Sequence, residues 1–399
     1  MAHPHLLITY DFPPMNGGIA RMMGEVARRY PAGSLVVTTG SQPGSSAVDA
    51  ALGHPVWRTS AASRKLRTLQ GLLRWTRQAS AVARSTRPGF VWCGNFKPAA
   101  YPARWIHQRY GTPYGIVLHG TELLLLSSRL AGPSHRRWIA RTLLQRAAVL
   151  VANSRWTRDL CLKVLAELEV DRAGSTVRVV PLGTDPESFR PGMDTRAIRS
   201  RYELGEGRWL LTVARLAAHK GIDTGIRVVA ALRHEFPDLR YAVVGTGRRL
   251  GGLEMLASDL GIGERVRFLT DVPDADLPAL YNCAEIYLGL SRTIELMAEG
   301  FGISMTEASA CGVPVVAGAS GGIPDAVLDG ETGMLVDPDG PESAIVAVRT
   351  LLLDRELARR LGAGGRSAVE RYYNWRRVSA DLYRLGTEFA PAASPGVIE

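Results

Sequence analysis

Short apolar runs of strand length alternate with helical patterns along most of the 399-residue chain. Strands that alternate with helices are typical of βαβ units, in which neighbouring strands run parallel in one sheet. The pattern therefore predicts an α/β fold. The strand-like runs of the first half are residues 6–9, 35–38, 90–92, 115–118, 149–152 and 177–180. Those of the second half are residues 209–213, 240–244, 266–269, 286–288, 313–316 and 334–336.

A stretch rich in turn-forming residues separates the two halves, with the sequence PLGTD at 181–185 and Pro191-Gly192 soon after it. Because it lies between two complete α/β patterns, it marks a domain boundary. We expect one Rossmann-like domain over residues 1–185 and a second over residues 191–372, facing each other across a deep cleft. Open α/β sheets bind ligands beyond the carboxyl ends of their strands, so the two edges are expected to share a site.

The cysteines and the N-terminus indicate a reducing compartment. No Cys-x-x-Cys spacing is present, which argues against a disulfide scaffold or a zinc site. The N-terminus has no basic segment followed by an apolar run of signal length, and the longest aliphatic run, 123–126, is far too short to cross a bilayer. We expect a cytoplasmic protein, with a peripheral position on the inner face of the membrane left open. The four cysteines are Cys93, Cys161, Cys283 and Cys311.

Positive charge is concentrated in the first half. Residues 1–190 hold 25 Lys and Arg against 10 Asp and Glu, a net charge of +15, whereas residues 191–399 hold 23 against 28, a net charge of −5. A basic half attracts phosphate, anionic lipid or nucleic acid, although a solvated basic surface also explains it. Since the chain has no nucleic-acid-binding motif and no clustered aromatic platform, we expect no nucleic-acid partner.

The segment EGFGISMTE at 299–307 has the features of a phosphate-binding turn. Its two glycines allow close backbone approach to a ligand, and a helical pattern follows, so its amides are expected at a helix N-terminus. Glu299 and Glu307 flank the turn and could accept hydrogen bonds from sugar hydroxyls. A purely structural role for both carboxylates is the alternative.

This segment, together with CGVPVVA at 311–317, GGIP at 321–324 and DGETG at 329–333, resembles the signature of the retaining family-4 glycosyltransferases of GT-B fold. The sequence from Asp11 to Ile19 and from Gly300 to Pro324 is most similar to the phosphatidylinositol mannosyltransferase branch. The resemblance implies that Glu299 contacts the transferred sugar and Glu307 the ribose of the nucleotide. It also implies that the helical stretch near 375–390 packs back on the first domain. The amides implied to hold the sugar and phosphates are those of Gly300, Phe301, Gly302 and Ile303.

Two cations follow the first strand of the second half, Arg215 and Lys220. Their spacing lets both converge on one phosphate pair, although a loop Arg and Lys are more often solvated. The resemblance implies that they neutralise the donor diphosphate and stabilise the leaving group. With cations in that role no metal is needed, so we expect no metal or other cofactor. Asp274-Ala275-Asp276 matches an acidic metal motif only formally.

Three sites in the first half complete the expected set. Gly17 and Gly18 lie between the first strand and a helix, where a phosphate or sugar can rest on backbone amides. Their loop resembles the family's first loop, which lies near donor phosphate and acceptor, and places Asp11 and Asn16 on the acceptor side. His119 ends a strand where the family carries a histidine near the reacting sugar; a structural hydrogen-bonding role is the alternative.

Gly245 follows a strand of the second half in the sequence Gly-Thr-Gly. Its spacing to the next glycine is not that of a dinucleotide fingerprint, and no acidic ribose contact follows. We therefore expect a close backbone approach at the donor site rather than an oxidoreductase. In the same half, Leu290-Ser291-Arg292 stands where many relatives have Pro-Ser, so this loop departs from the family's pattern.

The resemblance implies transfer of a hexosyl group from a nucleotide diphosphate sugar, GDP-mannose or a UDP-sugar, to a hydroxyl acceptor, with retention at the anomeric carbon. The acceptor is expected to be a lipid or a small natural-product or sugar core. Residues 64–77 have the pattern of a basic amphipathic helix, which can lie on an anionic membrane. The alternative for that stretch is an ordinary surface helix packed by Leu66, Leu69 and Leu73. A GT-B-fold nucleotide-sugar epimerase and a non-catalytic membrane-surface protein remain as alternative functions.

Overall fold

Each half of the chain forms its own parallel sheet in the computed structural model, which describes residues 3–130, 134–171 and 176–391. The chain divides into two units. The first comprises the residues up to Val180 together with those from Trp375 onward, and the second comprises Pro181–Asn374. Each unit has its own apolar core.

The sheet of the first unit has seven strands in the order β3-β2-β1-β4-β5-β6-β7, and every described pairing is parallel. The strands are β1 His5–Ile8, β2 Leu35–Ser41, β3 Val56–Ala62, β4 Phe90–Cys93, β5 Tyr114–Leu118, β6 Val149–Ala152 and β7 Val177–Val179. The helices are α1 Gly18–Arg29, α2 Ser45–Ala50, α3 Leu69–Thr86, α4 Ala100–Tyr110, α5 Thr121–Ser127, α6 Ser134–Gln145, α7 Arg155–Glu167 and α15 Trp375–Phe389.

The order of the strands decides which helices share a face. Connections between parallel strands are right-handed in nearly all proteins. The chain moves one way along the sheet from β1 to β3 and the other way from β3 to β7, so α1 and α2 cover one face and α3, α4 and α6 the opposite one. Helix α15 packs against α1, where the Ser379 hydroxyl donates a buried hydrogen bond to the Val26 carbonyl at 2.9 Å.

The sheet of the second unit has six parallel strands in the order β10-β9-β8-β11-β12-β13. Its strands are β8 Arg208–Val213, β9 Leu239–Val244, β10 Val266–Leu269, β11 Ile286–Gly289, β12 Val315–Gly318 and β13 Gly333–Val336. Its helices are α8 Arg196–Arg201, α9 Ile222–Leu232, α10 Leu250–Asp259, α11 Leu277–Asn282, α12 Ile303–Ala310, α13 Glu342–Leu353 and α14 Arg355–Arg371.

The prediction of an α/β chain with two Rossmann-like domains is confirmed. Each strand-like run in the sequence overlaps a strand of the structure, because buried parallel strands read as continuous apolar runs. The prediction missed β3. This strand lies at the edge of its sheet and contains Arg58, Thr59 and Ser60, so it lacks an apolar run.

In both sheets the strand order reverses beside the first strand of the unit, between β1 and β4 and between β8 and β11. Crevices at such switch points, outside the carboxyl ends of the strands, are where open α/β sheets bind ligands. The loops that follow these four strands are therefore the candidate binding loops. Among the described residues, no helix combines the length and the apolar character needed to cross a bilayer.

Only one of the three leucines in the alternative proposed for residues 64–77 is buried. Leu66 is fully buried in the core of the first unit. Leu69 is 76% exposed and Leu73 is 49% exposed, so the alternative that all three pack inward is wrong. The stretch also begins as a short 3-10 helix at Ser63–Arg67, and α3 starts only after the Thr68 side chain caps it by accepting from the Gly71 amide.

Candidate active-site residues

The phosphate-binding turn predicted in the second unit is the start of α12. Gly302 is the N-cap residue and has a φ of 106°, a backbone conformation that residues with a side chain rarely adopt. A Cβ on Gly302 would also lie 2.9 Å from Met305 Sδ. Glycine is thus required here, and it turns the chain so that α12 begins at Ile303. The first amides of a helix have no partner within it and favour an anion.

The main chain of Glu299 is fixed by the glycine pair at 321–322. The Gly322 amide donates to the Glu299 carbonyl at 2.9 Å. Gly321 has a φ of 58°, and a Cβ there would lie 2.4 Å from the same carbonyl oxygen. These two glycines are part of the segment that resembles the family signature, but the resemblance implies no structural role for them. The structure gives them one: they hold the residue that carries the candidate sugar-binding carboxylate.

Lys220 and Glu299 form an ion pair, although 79 residues separate them in sequence. Their side chains are only 15% and 21% exposed, respectively. Burial alone raises the pKa of the Glu299 carboxyl. The Lys220 ammonium more than offsets this effect, with further help from His219 and Arg215, so the pKa lies below its usual value. The carboxylate is therefore charged near neutral pH.

His219 lies next to Lys220 and is 96% buried, at 4% exposure. Burial lowers its pKa to about 4, and the positive charges of Lys220 and Arg215 add to this effect. The imidazole is therefore neutral at physiological pH. Arg215 lies in the same loop and is exposed. The loop after β8 thus carries Arg215, Lys220 and, between them, a buried neutral histidine that the sequence did not single out.

The loops after β8 and β11 are held together by Arg292. Its backbone amide donates to the His219 carbonyl at 2.8 Å. Its guanidinium donates to Asp223 Oδ2 at 2.8 Å and to Thr224 Oγ1 at 3.1 Å, at the start of α9. The two loops also approach closely at Gly221, where a Cβ would lie 1.8 Å from the Leu290 carbonyl oxygen. Residues 290–292, where the sequence departs from the family's pattern, therefore hold the Lys220 loop in place.

A second brace connects β8 to α12 through the buried hydroxyl of Tyr287. This hydroxyl donates to Ser304 Oγ at 2.8 Å in the first turn of α12 and lies within 3.2 Å of the Val213 carbonyl at the end of β8. Nothing in the sequence pointed to Tyr287, because a tyrosine inside an apolar strand is usually an ordinary core residue. The brace fixes the phosphate-binding turn relative to the strand that carries the two cations.

Two of the predicted donor-binding side chains lie inside the protein. Phe301 is 1% exposed and its ring packs against Tyr373, with 6.1 Å between the ring centres, so only its backbone amide is suited to a ligand. Glu307 is 3% exposed, and its Oε2 accepts a hydrogen bond from the Tyr281 hydroxyl at 2.7 Å.

The backbone of Gly245 packs against another part of the protein, which accounts for the glycine without a ligand. Its φ is 139°, and a Cβ would lie 2.0 Å from the Ala214 carbonyl oxygen. Its amide donates to the Leu269 carbonyl at 2.9 Å and is therefore already engaged. The close backbone approach expected at Gly245 exists, but its partner is the loop that leads to Arg215.

In the first unit, the loop after β1 carries the other predicted residues. Asp11 Oδ2 accepts from the Asn95 side-chain amide at 2.8 Å, which joins this loop to the one after β4. Gly17 is the N-cap of α1 with a φ of 133°, and a Cβ there would meet nothing within 4 Å. Asn16, Gly17 and Gly18 are all exposed. The turn is therefore open to a ligand, and its glycine is required by conformation alone.

His119 lies where the sequence placed it, directly after β5, and is 9% exposed. Its Nε2 contacts the Gly94 carbonyl at 2.8 Å. A carbonyl only accepts, so Nε2 carries the proton of this hydrogen bond and Nδ1 is the ring nitrogen outside it. His119 therefore has a structural hydrogen bond, and Nδ1 is the atom left for chemistry.

The formal acidic motif at 274–276 is engaged within the protein. Asp276 Oδ2 accepts from the Tyr202 hydroxyl at 2.6 Å and from Arg201 at 2.7 Å. These bonds lower the pKa of the Asp276 carboxyl, the Tyr202 hydroxyl most of all. Within the described ranges, no group of three or more His, Cys, Asp or Glu is placed to hold a metal ion.

Comparison with known proteins gives matches over both units. The model of Glycosyltransferase Family 4 matches residues 16–188, and that of Glycosyl transferases group 1 matches residues 194–368. A GDP-mannose-dependent alpha-(1-6)-phosphatidylinositol monomannoside mannosyltransferase of Mycolicibacterium smegmatis is 33% identical over 95% of this chain and 97% of its own. A D-inositol 3-phosphate glycosyltransferase of Corynebacterium jeikeium is 34% identical over 66% of this chain and 63% of its own.

Solved structures share the fold over nearly the whole chain. The structure of Anabaena HepE in complex with UDP-glucose has a TM-score of 0.78 at 18% identity, over 97% of this chain and 100% of its own. Sucrose-phosphate synthase from Thermosynechococcus elongatus has a TM-score of 0.75 at 21% identity, over 97% and 98%. The resemblance to family-4 glycosyltransferases of GT-B fold is thus confirmed. The chain belongs to this family and is a glycosyltransferase.

Proposed function

We propose that this glycosyltransferase takes its sugar from a nucleotide diphosphate donor bound by the second unit. The observation that carries the proposal is the Lys220–Glu299 ion pair beside the N-terminus of α12. It brings together a cation suited to phosphate and a carboxylate suited to sugar hydroxyls. Family membership favours transfer to an acceptor over the two alternatives, an epimerase and a non-catalytic surface protein.

The chemistry we propose is retention by attack on the same face of the sugar. As the bond to the donor breaks, positive charge develops on the sugar ring and negative charge on the leaving phosphate. Lys220, Arg215 and the first amides of α12 stabilise that negative charge, which removes the need for a metal. Glu299 holds a ring hydroxyl, and its pairing with Lys220 makes it a poor nucleophile, so a covalent intermediate is not part of the scheme.

The donor we propose is GDP-mannose or a UDP-sugar, and the transferred group is a hexosyl. The Mycolicibacterium smegmatis relative is named as GDP-mannose-dependent, and Anabaena HepE was solved with UDP-glucose. The acceptor we propose is a hydroxyl of a lipid or of a small sugar core, which the first unit binds through Asp11, Asn16 and the Gly17-Gly18 turn. His119 Nδ1 is the group that we place near the reacting sugar.

We also propose that residues 64–77 contact an anionic membrane, which makes this enzyme peripheral at the cytoplasmic face. The support is the exposure of Leu69 and Leu73, one turn apart on α3, with exposed Arg74 and Arg77 beside them. Basic amphipathic helices of this kind bury their apolar face in the headgroup region and pair with anionic lipid. A lipid acceptor would be reached from such a position.

The donor site is tested by turnover and by binding. We expect Lys220→Ala, Arg215→Ala and Glu299→Ala to lower kcat by about 10²–10³-fold each, as the loss of a transition-state contact does, without loss of fold. Thermal shift with the uridine, guanosine, thymidine and adenosine diphosphate series should identify one base, and the shift should vanish in Lys220→Ala. Near-normal turnover in all three variants, or no response to any nucleotide, would contradict the proposal.

A further inference from the structure

We propose that helices α3, α4 and α6 together form a docking face for an anionic membrane, with Trp105 and Trp138 as its interfacial anchors. We call this surface the docking face. The inference rests on the proposed function in so far as it extends the contact of α3 to a whole face of the first unit, and it adds two anchor residues that the pattern of residues 64–77 does not contain.

The three helices lie side by side in one layer. All three follow strands in the same direction along the sheet, so right-handed connections place them on one face. Helix α4 packs against both α3 and α6. On the contact between α3 and α4, the Ser80 and Tyr110 hydroxyls lie 3.1 Å apart. Their outer sides therefore make a continuous surface.

Large apolar side chains stand out from this layer. Trp105 on α4 is 53% exposed and Trp138 on α6 is 65% exposed. Leu69 and Leu73 on α3 and Tyr110 at the end of α4 are also exposed. Exposed apolar groups that cluster on one surface mark an interaction site. Tryptophan favours the boundary between lipid headgroups and acyl chains, because its ring is apolar and its N–H needs a polar partner.

Positive charge predominates in this region, although Arg137 and Arg141 on α6 pair with the exposed Glu169 that follows α7. Residues 51–158 contain 18 Lys and Arg and a single acidic residue, Glu122. Glu122 is engaged locally, since its Oε1 accepts from the His119 amide. No acidic residue lies on α3, α4 or α6. Juxtaposed apolar anchors and cations are the composition that binds a negatively charged lipid surface. The exposed cations on the three helices are Arg74, Arg77, Arg84, Arg109 and Arg136.

Two other occupants fit less well. A second copy of this chain would bring two faces of the same positive charge together, which opposes association. Single-stranded nucleic acid binds basic surfaces on which bases stack against aromatic rings. The aliphatic Leu69 and Leu73 offer no such stacking, whereas a lipid interface accepts them. A membrane accounts for the aliphatic, aromatic and basic residues together.

Vesicle co-sedimentation tests the docking face. Vesicles of phosphatidylcholine with phosphatidylglycerol are compared with phosphatidylcholine alone, at rising salt. We expect salt-sensitive binding to the anionic vesicles, weakened by about tenfold or more in the double variant Trp105→Ala, Trp138→Ala, because each ring loses apolar burial. The matched control is Met255→Ala, Val346→Ala, which removes side chains that are 64% and 63% exposed in the second unit. Equal binding by both double variants would overturn the proposal.

Tryptophan fluorescence gives an independent readout. Brominated lipid quenches rings that enter the bilayer interface. Because Trp57 on β3 is also 49% exposed, the test uses a Trp57→Phe background. In that background we expect quenching, and its loss when Trp105→Phe and Trp138→Phe are added, because Trp75, Trp209 and Trp375 are buried. Quenching that persists in the double variant would overturn the assignment of the anchors. Binding to oligonucleotides at moderate salt without binding to anionic vesicles would assign the face to nucleic acid instead.

The outcome for the docking face can be separated from the outcome for the proposed function. Nucleotide-induced thermal shift and turnover of a detergent-dispersed acceptor require no vesicle. Trp105→Ala, Trp138→Ala should leave both unchanged, since neither residue belongs to the loops that carry the catalytic candidates. A protein that binds vesicles through this face but no nucleotide would contradict the proposed function alone. One that binds nucleotide but not vesicles would contradict the docking face alone.

Discussion

At the scale of single residues, the Lys220–Glu299 pair sets the charge state of the donor site. Burial alone would favour a protonated Glu299, and the neighbouring cations reverse that preference. The carboxylate is thus charged, and able to accept from a hydroxyl, because Lys220 and the other nearby cations offset its burial. Under the proposed function, Lys220 would bind the diphosphate as well as Glu299 and would thereby link recognition of the phosphates to recognition of the sugar.

Replacing Lys220 by methionine should change how the stability of the protein depends on pH. With Lys220 present, the lowered pKa keeps Glu299 charged, and its contribution to stability is lost only as pH falls through that low value. In Lys220→Met, burial dominates, the pKa rises, and Glu299 protonates at higher pH. At pH 7 the variant should therefore melt at a lower temperature than the native protein, and from about pH 7 to pH 4 the difference should shrink, because the folded variant takes up the Glu299 proton more readily than the unfolded chain does. Lys163→Met, an exposed lysine of the first unit, is the control. Superimposable profiles would contradict this account.

Arg292 should behave as a positioning residue for Lys220. Its three hydrogen bonds hold the His219 carbonyl and the start of α9. We expect Arg292→Ala to reduce kcat/KM by about tenfold to 100-fold, as small misplacements of a catalytic group do. The donor KM should rise while the acceptor KM stays unchanged. Arg292→Lys should recover part of the loss by keeping the charge beside Asp223.

The matched control for Arg292 is Arg349→Ala. Arg349 makes a comparable pair with Glu235 at 2.8 Å in the same unit, away from the loops after β8 and β11. It should leave both KM values unchanged. If Arg292→Ala and Arg349→Ala lower stability alike and leave donor KM alone, Arg292 has a structural role only.

At the scale of elements, most of the fold could be predicted from the sequence, because parallel strands that are buried on both faces appear as continuous apolar runs. The helix at Trp375–Phe389 was readable as well, since its helical pattern stands apart from the strands. Edge strand β3 could not be predicted, because a half-exposed strand that contains Arg58 has no continuous apolar run. Arg58 is instead bound inside the protein, where it donates to the Pro13 carbonyl at 2.7 Å and steadies the first loop.

The candidate site was only partly readable. Spacing placed Arg215, Lys220 and Glu299 in loops that follow strands. It did not reveal that Lys220 and Glu299 pair, because that contact depends on two loops meeting across the switch point. Nor did it reveal the braces through Arg292 and Tyr287, since both are contacts between elements rather than patterns within one. Glycine roles were equally hidden, because a φ and a neighbouring carbonyl decide them.

Gly245→Ala should damage an element junction, whereas Gly252→Ala should not. A Cβ at Gly245 combines a φ of 139° with a contact of 2.0 Å to the Ala214 carbonyl, which we expect to cost at least about 2 kcal/mol. It should also weaken nucleotide binding by moving the loop of Arg215. Gly252 lies in α10 with nothing within 4 Å of its Cβ position, and alanine there should stabilise by up to about 1 kcal/mol. Chemical denaturation measures both, and equal stability of the two variants would refute the packing role of Gly245.

At the scale of the whole molecule, the two ends of the second unit lie next to each other. The Thr184 amide, near its beginning, donates to the Tyr373 carbonyl, near its end, at 2.9 Å. A Cβ on Gly183 would lie 2.5 Å from the Asn374 amide nitrogen. Chain ends that lie together are common in domains that are inserted into another. The first unit is accordingly discontinuous, and α15 supplies it with Val378, Leu382 and Leu385 as buried side chains.

This organisation predicts that a fragment of residues 181–374 folds alone and keeps the donor site, because its core, ion pair and braces all lie within it. Nucleotide should raise its unfolding free energy by about 2.7 kcal/mol at a ligand concentration of 100 Kd, as it does for any one-site protein. The complementary fragment 1–180 should be unfolded, since it lacks the α15 side chains and the Ser379–Val26 bond. Joining residues 375–391 to it through a flexible linker should restore folding. Circular dichroism and thermal shift measure each fragment, and an unfolded 181–374 would show that the donor unit depends on the rest of the chain.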